Sequence, residues 1–365
     1  MSILAFLNGA PSVSTALGHE KNNFGLIRLA LALAVVLSHA FSVTTGTITD
    51  EPLTTSTGFT LGEHAVNGFF AISGFLVTMS FDRRGWRDYA IARTLRIAPG
   101  LIVAVLAVSL LLGAAMTTLP AEEYFVSPGL RRFIQSTLLS FKTNIALPGV
   151  FADNPFSFPM GTVWTLKYEV MCYAGVFLIG LVGLLRSRIA ALGLVVGLAL
   201  GLAGLDLLRP DAPKGMETAL RLPLIFAFGG ALYVWRDRAR LSGSVVLALI
   251  LVTWLSADTF LYKTLLFTGT AYGILWLALA PAVTRFAYEP KADLSYGTYL
   301  YGWPIQQSLH ALWPSAAAGL LLAPSLAITL MVAALSWTLI EKPALGLKAK
   351  ALGRRTLRTV EPAAP

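Results

Sequence analysis

Arg28 and His39 stand eleven positions apart in the apolar run 24–43. At about 100° per residue this is three helical turns and about 20°, so the two share one face and lie roughly 16 Å apart along the axis. They cannot hydrogen-bond to each other in a straight helix, and a ligand touching both must be long. An imidazole deep in an apolar helix can act as a general base or a nucleophile. It can equally be a hydrogen-bonded member of a helix bundle, because a buried imidazole needs partners. Arg28, near the end of the run, can likewise be a snorkelling arginine.

Three further groups carry polar chemistry. Arg93 and Arg96 are three apart on one helical face, just before Pro99; two guanidiniums so placed can grip a phosphate bidentately, although basic loops beside membrane spans are also rich in arginine. Lys167 and Glu169, two apart, point to different faces, so each needs its own partner elsewhere. Glu169 should face a cavity, as a functional group or as half of a structural ion pair. His64 follows Glu63 near a span end, where it can meet a substrate or simply be solvated. The four histidines (His19, His39, His64 and His310) show no paired metal-ligand spacing, so no metal is expected. The single cysteine, Cys172, excludes an intramolecular disulfide, and no Gly-x-Ser-x-Gly elbow marks a serine hydrolase.

These groups must be positioned by a membrane scaffold. Of 365 residues 56% are hydrophobic and 13% charged, against about 25% charged in soluble domains. A spanning helix needs about 20 apolar residues. Ten segments qualify, near 24–43, 65–82, 97–118, 160–184, 189–208, 217–234, 242–257, 262–283, 294–313 and 319–340. Their runs are continuous rather than alternating, which disfavours a barrel. The fold expected is therefore an all-α polytopic bundle of ten transmembrane helices. With both termini cytoplasmic, the inner segments hold nineteen of the 28 basic residues and the outer ones seven, Arg28 and Lys167 lying within spans. That bias sets the orientation and explains the net charge of +9 without nucleic acid. Residues 1–23 read as a cytoplasmic or interfacial leader, 24–341 as the transmembrane domain and 342–365 as a basic cytoplasmic tail. The long outer connection 119–159 contains an amphipathic stretch, 130–141, suited to lying on the surface or folding back as a lid. Small residues at Gly68, Ser73 and Gly74 let another helix come close.

The ordered motifs resemble the membrane-bound acyltransferase 3 family, multi-pass O-acyltransferases that modify surface glycans in bacteria. The matching pieces run through the whole chain: Arg28 and His39; 68–76 (GFFAISGFL); 93–99 (RTLRIAP); 162–169 (TVWTLKYE); 295–304 (SYGTYLYGWP); and 341–343 (EKP). Each is weak alone, and their order and spacing are specific. One departure is Gly302, where the family commonly places histidine or another polar residue before Trp-Pro. A periplasmic SGNH hydrolase-like domain found in some relatives is not expected here.

The resemblance implies a bacterial cytoplasmic-membrane enzyme taking acetyl-CoA or another acyl-CoA as donor and a glycan or glycolipid hydroxyl as acceptor. It implies donor contacts at Arg28, Arg93, Arg96 and Ser73, with the phosphates near Arg93 and Arg96 and the pantetheine arm passing Arg28 toward His39. His39 is then the general base, with Glu169 expected to orient its ring. Trp164, Tyr168, Tyr299, Trp303 and His64 are the acceptor-side candidates. Composition alone favours a transporter or flippase lined by intramembrane Arg, His and Glu; the motif series reverses that preference.

Overall fold

The computed structural model describes residues 10–19 and 21–352. The start of the expected leader (1–9 and residue 20) and the end of the expected basic tail (353–365) lie outside the described residues. The protein is an all-α membrane protein, with two isolated bridges and no strand among the described residues. All ten apolar runs are helical. They form α1 (Phe24–Thr45), α2 (Leu61–Leu106), α3 (Trp164–Leu181), α4 (Arg188–Leu208), α5 (Lys214–Val234), α6 (Gly243–Leu255), α7 (Tyr262–Leu279), α8 (Ser295–Leu312) and α9 (Ala318–Ser336). Among the described residues, five helices are long and apolar enough on their own to cross a bilayer: Phe24–Thr45, Leu61–Met116, Arg188–Leu208, Lys214–Val234 and Ala318–Ala349.

The second of these joins two of the expected runs. Its 56 residues would reach about 84 Å if straight, against a hydrocarbon core of about 30 Å. The chain breaks at Gly85, where φ is 79° and ψ 173°, a backbone region that side-chain-bearing residues avoid. The rings of Phe81 and Tyr89 meet across the break at 5.2 Å; in a straight helix eight residues separate them by about 12 Å. The stretch is thus two passes, and Arg93 and Arg96, three positions apart, both ride on its second arm.

Local chemistry sets the helix ends nearest the site. Helix α1 stops at Gly46, whose φ of 76° is left-handed and whose N–H bonds Ser42 O. Helix α2 starts with a capping box: Thr60 Oγ1 accepts from Glu63 N at 3.0 Å, and Glu63 Oε2 accepts from Thr60 N at 3.0 Å. At the heart of the bundle α2 crosses α5 with no side chain between them. A Cβ on Gly74 would lie 1.9 Å from Phe226 O, and one on Gly229 would lie 2.2 Å from Ala71 O. Small residues permit that approach, which in lipid relies on close backbone packing rather than on hydrophobic segregation. The amphipathic stretch of the long connection is a helix, Pro128–Ser140, capped by Ser127 and burying Leu130, Phe133 and Thr137.

Candidate active site

Two polar groups sit at different depths of the same bundle. The first surrounds His39. After Gly46 the chain folds back through a short 3-10 turn, Ile48–Asp50, and delivers Glu51 to the end of α1. Glu51 is 4% exposed. Its Oε1 accepts from Nδ1 of His39 at 3.0 Å and from Ser42 Oγ at 2.5 Å, and its Oε2 accepts from Ser38 Oγ. Ser38 Oγ in turn accepts from Gly62 N at 2.8 Å, tying α1 to the start of α2. Burial would raise the Glu51 carboxyl, but the His39 contact and the two serine hydroxyls outweigh it and hold the group below its ordinary value. With Nδ1–H donating to a carboxylate, Nε2 keeps its lone pair and is free to take a proton.

The imidazole stands edge-on to Trp303, ring centroids 5.1 Å apart. Trp303 is fixed by a bond from its Nε1 to Phe158 O at 2.9 Å and by stacking on the Phe158 ring, 5° from parallel. Gly161 makes room for it, since a Cβ there would lie 2.5 Å from the indole. Gly302, the departure from the expected motif, packs on α1 instead of presenting a polar group. Its missing Cβ would fall 2.7 Å from Val36 Cγ2, while Gln306 Nε2 donates to Val36 O at 2.7 Å.

The second group lines a cavity at the basic end. Arg28, Ser73, Arg93, Arg96, Glu169, Tyr173 and Tyr299 are among its walls. Asp293, just before α8, pairs with Arg28 at 3.2 Å and Arg96 at 2.8 Å. Arg96 also lies 3.8 Å from Glu341, a residue placed by a π-helical turn, Trp337–Glu341, inserted after α9. Burial would raise the Asp293 carboxyl, but Arg28 and Arg96 with Ser295 override it and hold it well below the usual carboxylate range. Arg93 lies 5.6 Å over the Tyr173 ring and its buried Nε has no hydrogen-bond partner. An anion entering this cavity would find that donor open.

Between the two groups is a ceiling. Tyr299 and Phe69 line the cavity and meet ring to ring at 6.4 Å. The Tyr299 hydroxyl is anchored to Thr162 O and Thr165 Oγ1. Trp303, one turn further along α8, touches His39 and stands outside the cavity wall.

The expected residues thus separate. Arg28, Arg93, Arg96, Ser73 and Tyr299 meet in one cavity, joined by Glu169, while His39 and Trp303 meet beyond the ceiling. Glu169 does not hold the imidazole; it accepts from Tyr173 Oη and from Ser73 Oγ at 3.4 Å, and the carboxylate on His39 is Glu51. Trp164 and Tyr168 lie on the flank of α3 beside the Thr165–Glu169 face and pack edge-on against each other at 6.1 Å within an apolar cluster. His64 is held by Thr57 Oγ1 at 2.9 Å and by the Phe59 ring. It is two residues past Gly62, hence about 200° around the helix from the face that meets Ser38 and His39. The described residues contain no cluster of metal-ligating side chains. Glu51 escaped the sequence reading, but Ser38 and Ser42 at i and i+4 around His39 were a signal. Two hydroxyls on the histidine's flank in an apolar helix need an acceptor, and the short loop that follows offers Asp50 and Glu51.

The class of protein these features define is a polytopic membrane bundle that carries an imidazole hydrogen-bonded to a buried carboxylate and, at another depth, an arginine-lined cavity. Residues 22–341 match the family described as "Acyltransferase domain", and the chain belongs to this acyltransferase 3 family. It is similar to the "O-acetyl transferase" of Shigella phage Sf6, 26% identical over 342 residues covering 89% of this chain and 96% of that protein. It is also similar to "Nodulation protein 10" of Rhizobium leguminosarum bv. viciae, 29% identical over 381 residues covering 94% of this chain and 98% of that protein. No solved structure matches. The protein is a membrane acyltransferase of that family.

Proposed function

We propose that the protein moves an acyl group, acetyl in the simplest case, from acyl-CoA at the basic, cytoplasmic face to a hydroxyl of a cell-surface polysaccharide or glycolipid. The observation that carries this reading is the polarity of the arrangement. A guanidinium-lined cavity opens at the basic end, and its closed end lies about one helical turn from an oriented imidazole. The roughly 16 Å of rise between Arg28 and His39 suits a donor with phosphates at one end and a thioester at the other.

Arg93, whose Nε is open, receives phosphate first, with Arg96 and Arg28 beside it. Ser73, Glu169 and Tyr173 line the path of the arm. His39 Nε2 takes the proton of the acceptor hydroxyl as its oxygen bonds to the acyl carbon, and returns that proton to the thiolate released when the carbon–sulfur bond breaks. Glu51 holds the ring in the tautomer this requires and stabilises the imidazolium formed between the two transfers. Trp303 fixes the other edge of the ring.

The test is transfer of radiolabelled acetyl from acetyl-CoA by the purified chain in nanodiscs, offered crude surface-glycan acceptors. The wild type should transfer, with His39→Ala and Arg93→Ala each at or near background while still inserted and folded. Full activity in His39→Ala removes the assignment of the base; a folded wild type that neither binds CoA nor releases it removes the donor.

A further inference from the structure

A second set of features lies on a neighbouring face of α3, roughly 100° around from the donor cavity, and the reaction above does not use it. Between α3, α4 and α5 runs an apolar groove with walls that include Cys172, Gly175, Leu194, Ala227 and Ala231. On α5 it extends from Pro223 to Val234, eleven residues and therefore about 16 Å. That is close to half of a hydrocarbon core about 30 Å thick. The groove starts at the basic end and stops near mid-membrane, so its depth is that of one leaflet. Alanine and glycine open it: a Cβ at Gly175 would meet nothing within 4 Å.

The groove leads into a polar pocket at the basic face. Leu185 and Val234 belong to both. The pocket carries Arg186, Arg188 and Arg236 against Asp82 and Asp237, three cations to two anions. Arg186 Nε is 2.6 Å from Asp82 and Arg188 3.2 Å from Asp237, while Arg236 lies 3.9 Å from Asp82. The Arg186 side chain is 81% exposed. A guanidinium carries five N–H donors, so pairing with one carboxylate leaves donors to spare.

We infer that this groove and its arginine mouth form a binding site for an anionic phospholipid of the basic-side leaflet, one acyl chain lying between α3, α4 and α5 and the phosphate meeting Arg186 and Arg188. The charge at the mouth and a depth of one leaflet point together to a lipid. An apolar groove alone would accept any chain, and arginines alone would bind any phosphate. Basic pockets between membrane helices on the cytoplasmic side hold anionic headgroups in this way.

The full-length chain in detergent, titrated with dioleoyl phosphatidylglycerol or dioleoyl phosphatidylcholine and read by non-denaturing mass spectrometry, tests the site. The wild type should retain phosphatidylglycerol at least about tenfold more tightly than phosphatidylcholine. Arg186→Gln with Arg188→Gln should abolish that preference. Gly175→Leu with Ala227→Phe should remove retention of both lipids, and unchanged melting curves would show that these variants are folded. Equal retention of the two lipids, or phosphatidylglycerol retention unaltered in the folded variants, overturns the proposal. So does displacement by glycerol 3-phosphate, which has no chain, or a dimer that the groove-filling pair dissolves.

Discussion

Glu51 accepts a hydrogen bond from Nδ1 of His39 at 3.0 Å across a twelve-residue hairpin of chain. The imidazole and the carboxylate that orients it therefore come from one contiguous segment, Ser38 to Glu51, rather than from two helices that meet only in the finished bundle. Substituting Glu51 by glutamine keeps the shape and removes the charge that stabilises imidazolium. We expect kcat for acyl transfer to fall by about 10²–10⁴-fold with little change in the donor's KM, and Glu51→Asp to recover part of the loss. A Glu51→Gln enzyme with near-normal kcat would leave the carboxylate only a structural role.

The serine donors predict a pH effect. Glu51 is held below its ordinary value, so the stability it contributes is complete above about pH 4.3, where a free glutamate titrates, and is lost as the pH falls through the lowered folded value. Ser42→Ala deletes one stabilising donor and moves that folded value upward. Melting temperature measured against pH in detergent should fall off at higher pH in Ser42→Ala than in the wild type; coincident acid limbs would contradict the assignment.

Asp293 serves two arginines at once. Asp293→Asn leaves Arg28 and Arg96 facing each other without the carboxylate that both pair with. CoA phosphates can relieve that repulsion. The variant should melt below the wild type and gain more from added CoA than the wild type does, as read by thermal shift. An equal CoA shift in the two proteins would mean that the phosphates sit elsewhere.

Two glycines should behave oppositely. Gly74→Ala drives a methyl to 1.9 Å from Phe226 O, a backbone atom that cannot step aside, so folded yield should collapse. Gly175→Ala meets open space and should be neutral or stabilising by up to about 1 kcal/mol from helix propensity. Yield and melting temperature of the two variants make the comparison directly.

The helices were legible because lipid imposes one rule on all of them, and runs such as 190–205 have no other reading. The join of the second and third spans was not. The arginines around Gly85 mark the polar connection between two passes, as the structure has it, but how tightly the chain turns there depends on a φ that the sequence does not give. Arg28, Arg93 and Arg96 could be grouped from their positions near the same membrane face. The partner of His39 could not be taken from the spans, because a search confined to intramembrane charge reaches Glu169 and passes over a loop glutamate that the turn at Gly46 folds back. Trp164 and Tyr168 share a motif with Thr165 and Glu169, but a motif does not say which face of its helix looks inward.

The Phe69–Tyr299 ceiling bears on the energetics of the cell as well as on the reaction. A membrane that stores energy as a proton gradient cannot tolerate a continuous wet path from one side to the other. A file of arginine, glutamate, tyrosine and histidine linked by water would be such a path. Phe69 and Tyr299 stand at the depth between the two polar groups, ring edge to ring face, with the tyrosine hydroxyl committed to backbone and threonine rather than to water. In a membrane that stores such a gradient, ionisable groups at both depths of the bilayer are compatible with a sealed resting state only while rings of this kind stand between them, and under the proposed reaction any opening for an acyl chain has to be brief or plugged by the chain itself.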